Sequence, residues 1–176
     1  MTVEINQVIA KLPERVKEWR IIKTADIPFR EYVVELCSQN HCGMYGKSWQ
    51  CPPAVGGIDD LRKECLSYEN ALIFTTCYPL TDCFDIDGMT AARKIHERTT
   101  DSVLELFGNE RVKGLSAEGC DLCAKCTYPN APCRFPQKAR SSVEAYAISV
   151  VELAKEFGLK YNNGQNTVTY FSLIMY

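Results

Sequence analysis

Ten cysteines in 176 residues, seven of them gathered in two short stretches, restrict this chain more than any other feature. The richer stretch runs Cys120-Asp121-Leu122-Cys123-Ala124-Lys125-Cys126 and continues to Pro132-Cys133-Arg134-Phe135-Pro136. Three thiols at steps of three residues let a backbone wrap an inorganic core so that successive sulfurs reach different metal atoms, as in the C-x2-C-x2-C run of ferredoxin-type iron–sulfur sites. The final gap differs: six residues separate Cys126 from Cys133, and Pro precedes Cys133 instead of following it. The spacing therefore predicts a [4Fe-4S] site with a loop of its own. Zinc is the alternative, but it ordinarily takes two separated C-x2-4-C pairs, and Cys126 at the same short step fits that pattern poorly. A disulfide framework fits less well still. The chain opens Met1-Thr2-Val3-Glu4 with no basic or apolar leader, so a reducing, cytoplasmic compartment is expected.

The second stretch contains Cys37, Cys42 and Cys51 in the run Cys37-Ser-Gln-Asn-His-Cys42-Gly-Met-Tyr-Gly46-Lys-Ser-Trp-Gln-Cys51-Pro52-Pro53. Its glycines permit sharp turns and its double proline stiffens the backbone, so ligands held here lose little freedom on binding metal. Gaps of four and eight residues are less diagnostic than two and two, and three unpaired thiols in a buried turn would produce the same pattern. Seven motif cysteines fall one short of the eight that two fully thiolate-ligated clusters need. One or two clusters are thus expected. If Cys37, Cys42 and Cys51 act alone, one iron keeps an exchangeable position, the property that lets a cluster bind a substrate. Cys65, Cys77, Cys83 or Cys133 would otherwise complete the set, and Cys77 and Cys83 flank a loop able to approach it. Cys65, on the apolar face of a helical segment, reads as core.

Bulk composition sets outer limits. With 46% hydrophobic and 24% charged residues the chain is an ordinary globular sequence of one domain, spanning residues 1–176. No apolar run approaches the roughly 20 residues of a membrane span. Twenty basic against twenty-two acidic residues give a formal charge of −2, so no basic surface for nucleic acid is expected. No G-x-G-x-x-G, P-loop or Ser/His/Asp arrangement occurs, and the acidic string Asp82, Asp85, Asp87 lacks the spacing and glutamate of a calcium loop.

Periodicity predicts an α/β or α+β domain of four to five strands with flanking helices and two cysteine-rich loops, at 37–53 and 120–136. Ile5, Val8, Ile9, Leu12, Val16 and Trp19 suggest a kinked amphipathic helix over the first nineteen residues. Residues 20–26 read as a strand, 58–68 as a short helix, 71–77 as a buried strand, and 90–107 as a long helix ended by Gly108. A short strand over 112–119 delivers Cys120. Ser141 and Glu144 form a capping box expected to launch a helix over 142–157, and residues 167–176 alternate as a last strand. There is no internal repeat beyond the cysteine loops.

Lys47, Lys125 and Arg134 interleave with the thiols and could tune a cluster, while Tyr45, Trp49, Tyr128 and Phe135 could shield it. His41 is a lone loop histidine and His96 is expected at a helix boundary or surface. Taken together, the C-x4-C-x8-C-P-P motif with Tyr45-Gly46 and Trp49, the C-x2-C-x2-C-x6-C motif with Pro132 and Pro136, Ser142-x-Glu144-Ala145-Tyr146 and the closing Thr-Val-Thr-Tyr-Phe resemble a family of small prokaryotic proteins described as predicted metal-binding and common in anaerobes. The resemblance implies metal binding through the motif cysteines and leaves iron–sulfur against zinc to the spacing. The expectation is an iron–sulfur protein in electron transfer or serving an anaerobic redox enzyme, with a redox partner protein. A cluster-dependent enzyme and a zinc-stabilised interaction module are the alternatives.

Overall fold

Residues 4–176 are described by a computed structural model, and its centre is a strand apolar on both faces. β2 (Asn70–Pro79) carries Ala71-Leu72-Ile73-Phe74 with no polar alternation, and all four side chains are fully buried. A strand reads this way only when both sheet faces are covered. β2 pairs antiparallel with β1 (Glu18–Lys23) on one side and β4 (Thr167–Met175) on the other, and β3 (Lys113–Leu115) adds to β4, giving the order β1-β2-β4-β3.

Side chains of β2 alternate between two cores. Ala71 and Ile73 join Leu61, Cys65, Leu153 and Phe171 on one face, beneath α3 (Ile58–Cys65) and α5 (Val150–Glu156). Leu72 and Phe74 join Val8, Val103 and Phe107 on the other, beneath α1 (Ile5–Ala10) and α4 (Ile86–Glu105). The molecule is a single α+β domain with helices on both faces of an antiparallel sheet.

Several expectations move by a turn or break. The first helix stops at Ala10 and Trp19 lies in β1, although Val8, Leu12 and Val16 do pack inward; residues 1–3 of that predicted helix lie outside the described residues. α4 begins at Ile86, not 90, because the Asp85 carboxylate accepts the Gly88 N–H at 2.8 Å and caps the helix one turn earlier. Gly108, at φ +60, follows its end as expected.

The predicted helix over 142–157 is two pieces. A single 3-10 turn at Glu144–Tyr146 ends at Ala147 in the left-handed region, φ 59, and α5 starts afresh with Ser149 accepting the Glu152 N–H at 3.3 Å. Sheet-like pairings on both sides of the break explain it: Ser142 bridges to Ser116 and Ile148 to Phe29. The two pieces still share one buried face, with Val143, Tyr146, Ala147, Val150 and Ala154 inside and Phe157 partly buried against the core. The segment before the first cysteine loop is α2 (Glu31–Ser38), so Cys37 sits in a helix's last turn.

His96 is the clearest correction. Expected at a boundary, it is 0% exposed between α4 and the sheet, its Nδ1 2.8 Å from Thr76 Oγ1 and its Nε2 2.8 Å from Ser172 Oγ. Ser172 continues to Thr100 at 2.8 Å and to Ser116 at 3.2 Å, and Ser116 donates to Glu97 at 2.6 Å. Burial without a counter-charge pushes the imidazole down to about 4, so it is neutral inside the fold.

Candidate metal centre

The two cysteine stretches, separated by residues 54–119 in sequence, fold against each other. In the first, three residues turn the chain through the left-handed region, Asn40, Gly43 and Gly46 at φ 56, 74 and 67. Asn40 Oδ1 accepts the Tyr45 N–H at 3.0 Å and Pro52 O accepts the Gly46 N–H at 2.9 Å, closing the loop on itself. Cys51 ends up 6% exposed at its base.

The second stretch has almost no regular secondary structure and is held by side chains. Thr127 donates to Pro132 O at 2.8 Å, and Arg134 donates to Lys125 O at 3.0 Å, which folds the Cys126–Cys133 segment back on itself. Arg93, from α4, reaches the loop's start: it donates to Gly119 O and lies 3.3 Å from Glu118 and 3.5 Å from Asp121, on either side of Cys120. Trp49 joins the stretches, donating to Ala131 O at 3.0 Å and meeting Tyr128 edge-on at 4.9 Å between ring centres. Met44 packs on Gly119, where an added Cβ would approach its terminal carbon to 2.9 Å.

Each set of thiols lines a cavity of its own. Cys120, Cys123, Cys126 and Cys133 line one of about 440 Å³ that is roofed by residues 46–50 of the other loop. Lys47, Lys125 and Arg134 also line it, against Asp121 alone, and Trp49, Tyr128 and Phe135 form its walls. Cys37, Cys42 and Cys51 line the other, about 450 Å³, with Tyr45 and His41. Its charged side chains are Glu118 and Glu144, and no lysine or arginine faces it. His41 lies 3.0 Å from Gln39 Oε1.

Electrostatics distinguish the thiols. Burial, then Cys42 and Cys37, then Cys120 and Cys126, push the Cys51 thiol up to about 11. Cys51 therefore lies within electrostatic reach of both sets, and Met44 lines both cavities. Burial, with Cys42 and Glu144 beside it, also raises Cys37. Burial opposes ionisation at Cys126 as well, but the N–H groups of Tyr128, Trp49 and Thr127 and the Ser48 hydroxyl converge on its sulfur and hold it below the ordinary thiol range. Such donors favour the thiolate, the form that binds metal. Glu144 is an exposed residue; the protein around its carboxyl pushes its pKa up, against its own backbone N–H and the Ser142 hydroxyl.

The remaining cysteines do not join either set. Cys65 is fully buried in the core, as expected of a helical apolar position. Cys77 lies on β2 opposite Thr169 and Cys83 is exposed ahead of α4; neither lines a cysteine cavity, so the expected approach of their loop is not seen. Cys133 stands with the second set. Among the described residues no three thiol, imidazole or carboxylate groups are close enough to share a single metal ion. All ten cysteines are free thiols.

Sequence reasoning missed several residues that build the site. Glu144 was visible only as a helix cap, and Arg93, Ser48 and Met44 carried no signal of their own. A soft-donor set of seven thiols around two spaces, with N–H groups aimed at sulfur, fits a thiolate-bound metal or cluster.

Comparison with known protein families gives a match over most of the chain. The family model described as "Predicted metal-binding protein (DUF2284)" matches residues 20–176, which takes in every motif cysteine. No curated protein and no solved structure matches the chain. Among the described residues, no helix is long and apolar enough to cross a membrane.

Proposed function

Because the chain belongs to the DUF2284 family of predicted metal-binding proteins, we propose that the metal is iron in one or two [4Fe-4S] clusters serving electron transfer or an anaerobic redox enzyme. The observation that carries this reading is the sorting of seven thiols into two adjoining cavities, each lined by one set. Zinc holds its sulfurs at about 2.3 Å and so draws four of them close together. A polynuclear core instead spreads its ligands around a larger volume, which suits four thiols set around a cavity of about 440 Å³.

Cys120, Cys123, Cys126 and Cys133 would hold a fully thiolate-ligated cluster in the second cavity. A cluster there supplies one-electron redox chemistry at a potential set by its surroundings. Lys47, Lys125 and Arg134 supply positive charge beside it, which favours the reduced, more anionic state. Trp49, Tyr128 and Phe135 restrict water. The exposed edge of this loop suits contact with a redox partner protein in the cytoplasm.

The first set supports a second reading, an enzyme whose open iron site binds a small substrate. Its specific support is that Cys65, Cys77 and Cys83 stay away from a cavity holding only three thiols. The test is anaerobic purification with iron, sulfide and zinc analysis. About eight irons and eight sulfides per chain are expected for two clusters, four for one, with broad visible absorption. A colourless, zinc-loaded protein would overturn both readings in favour of a zinc-stabilised module. Loss of half the iron on Cys51→Ser, with none lost on Cys77→Ser or Cys83→Ser, would favour the three-thiol site.

A further inference from the structure

We infer that the cavity beside Cys37, Cys42 and Cys51 is a binding site for a small organic ammonium ion, its apolar substituents lying on Tyr32, Tyr45 and Tyr161 and its charge facing Glu144. The first observation is charge. Glu118 and Glu144 are the charged residues on this cavity, and Glu118 is already held by Arg93 at 3.3 Å. Glu144 pairs with no cation among the described residues. A carboxylate that lines a concave space with no cation beside it is open to a cation that enters there. Anionic ligands are disfavoured for the same reason, in contrast to the neighbouring cavity with its three basic side chains.

The second observation is the wall. Three tyrosines line the cavity, and aromatic faces attract alkylated ammonium groups, which shed water easily and present apolar methyls around a diffuse charge. Tyr32 is fixed by bonds of 2.6 Å to Ser149 and 2.9 Å to Glu152, and Tyr161 stacks on Phe171 at 6.0 Å. The mouth is apolar as well: Leu36, Val151 and Tyr161 are each more than half exposed around it. Clustered exposed apolar side chains around a concavity mark a binding site more often than plain surface. A volume near 450 Å³ suits a small molecule. A bare metal cation would ignore the tyrosines, and an uncharged apolar molecule would leave Glu144 unpaired.

This assignment rests on the proposed function only in that a metal at the three thiols forms the floor of the same cavity. The full-length protein as isolated, with its metal content measured, would be titrated by calorimetry with choline and with its uncharged carbon isostere 3,3-dimethylbutan-1-ol. Choline is expected to bind at least about tenfold tighter, from the combined cation–π and ion-pair contributions. Glu144→Gln should remove that preference with metal content unchanged, and Tyr161→Leu should weaken choline at least threefold. Equal or absent binding of the two probes would overturn the site, as would a Glu144→Gln variant that binds choline like the native protein or one that loses its metal. A protein with iron but no choline preference sinks the ammonium site alone. One with the preference but no iron upholds it and sinks the cluster reading.

Discussion

At the scale of single residues, His96 shows how a buried titratable group governs behaviour without touching the cysteine site. Its imidazole is held near 4 where an unfolded chain has 6.5, so below pH 6.5 the unfolded state binds a proton that the folded state refuses. Stability from this group is complete above pH 6.5 and is lost as pH falls towards 4. At about 1.4 kcal/mol per unit the loss approaches about 3 kcal/mol. Urea titrations from pH 7 to 4 should show that loss, and a His96→Gln variant, which keeps hydrogen-bonding capacity but does not titrate, should show a shallower fall over the same range. A second prediction concerns Cys123. Cys123→Ala should lower both metal content and thermal stability, because metal binding and loop ordering are coupled; metal analysis with a melting curve checks both. The gathering of the thiols into two sets was legible because their spacing is local. His96 was misread because its neighbours, Thr76 and Ser172, come from two strands distant in sequence, and nothing near position 96 announces them.

At the scale of elements, the cysteine loops depend on anchors supplied by the helices. Arg93 ties residues 118–121 to α4 through Glu118, Gly119 and Asp121. Arg93→Gln should raise amide exchange in 118–122 at least about tenfold while moving global unfolding by less than about 1 kcal/mol, since the sheet and its two cores are untouched. Hydrogen exchange with mass spectrometry, run beside a urea titration, separates the two. Ser149 caps α5 and also meets Tyr32, so Ser149→Ala should cost about 1 kcal/mol or somewhat more in the same urea titration. Strands and the long α4 were legible from apolar runs and a glycine stop. The broken helix at Ala147 was not, because both halves keep a single helical burial stripe. What breaks it are bridges to Ser116 and Phe29, which periodicity does not reveal.

At the scale of the whole molecule, the hydrophobic cores and the cysteine loops are separate bodies of structure. Both cores are built on β2 and β4, and none of the seven motif cysteines belongs to either. Removing metal should therefore leave the far-ultraviolet circular dichroism largely intact and a cooperative thermal transition in place, at a lower midpoint. This is unlike a small zinc finger, which unfolds without its ion. Limited proteolysis after chelation should cut within 37–53 and 120–136 and spare the sheet. The antiparallel sheet covered on both faces was only half legible. Its strands could be read from the chain, but an uninterrupted apolar β2 usually signals a parallel sheet, and direction is decided by connections that no strand encodes alone.

One feature of the site shapes how it would fill. Cys51 lines only the first compartment, yet it lies close enough to Cys120 and Cys126 of the second for their charge to bear on it. Its proton is also held more tightly while neighbouring thiolates on either side stay uncompensated. On the proposed reading, compensating the charge of Cys120 and Cys126 would ease ionisation of Cys51, so filling the second compartment would favour filling the first.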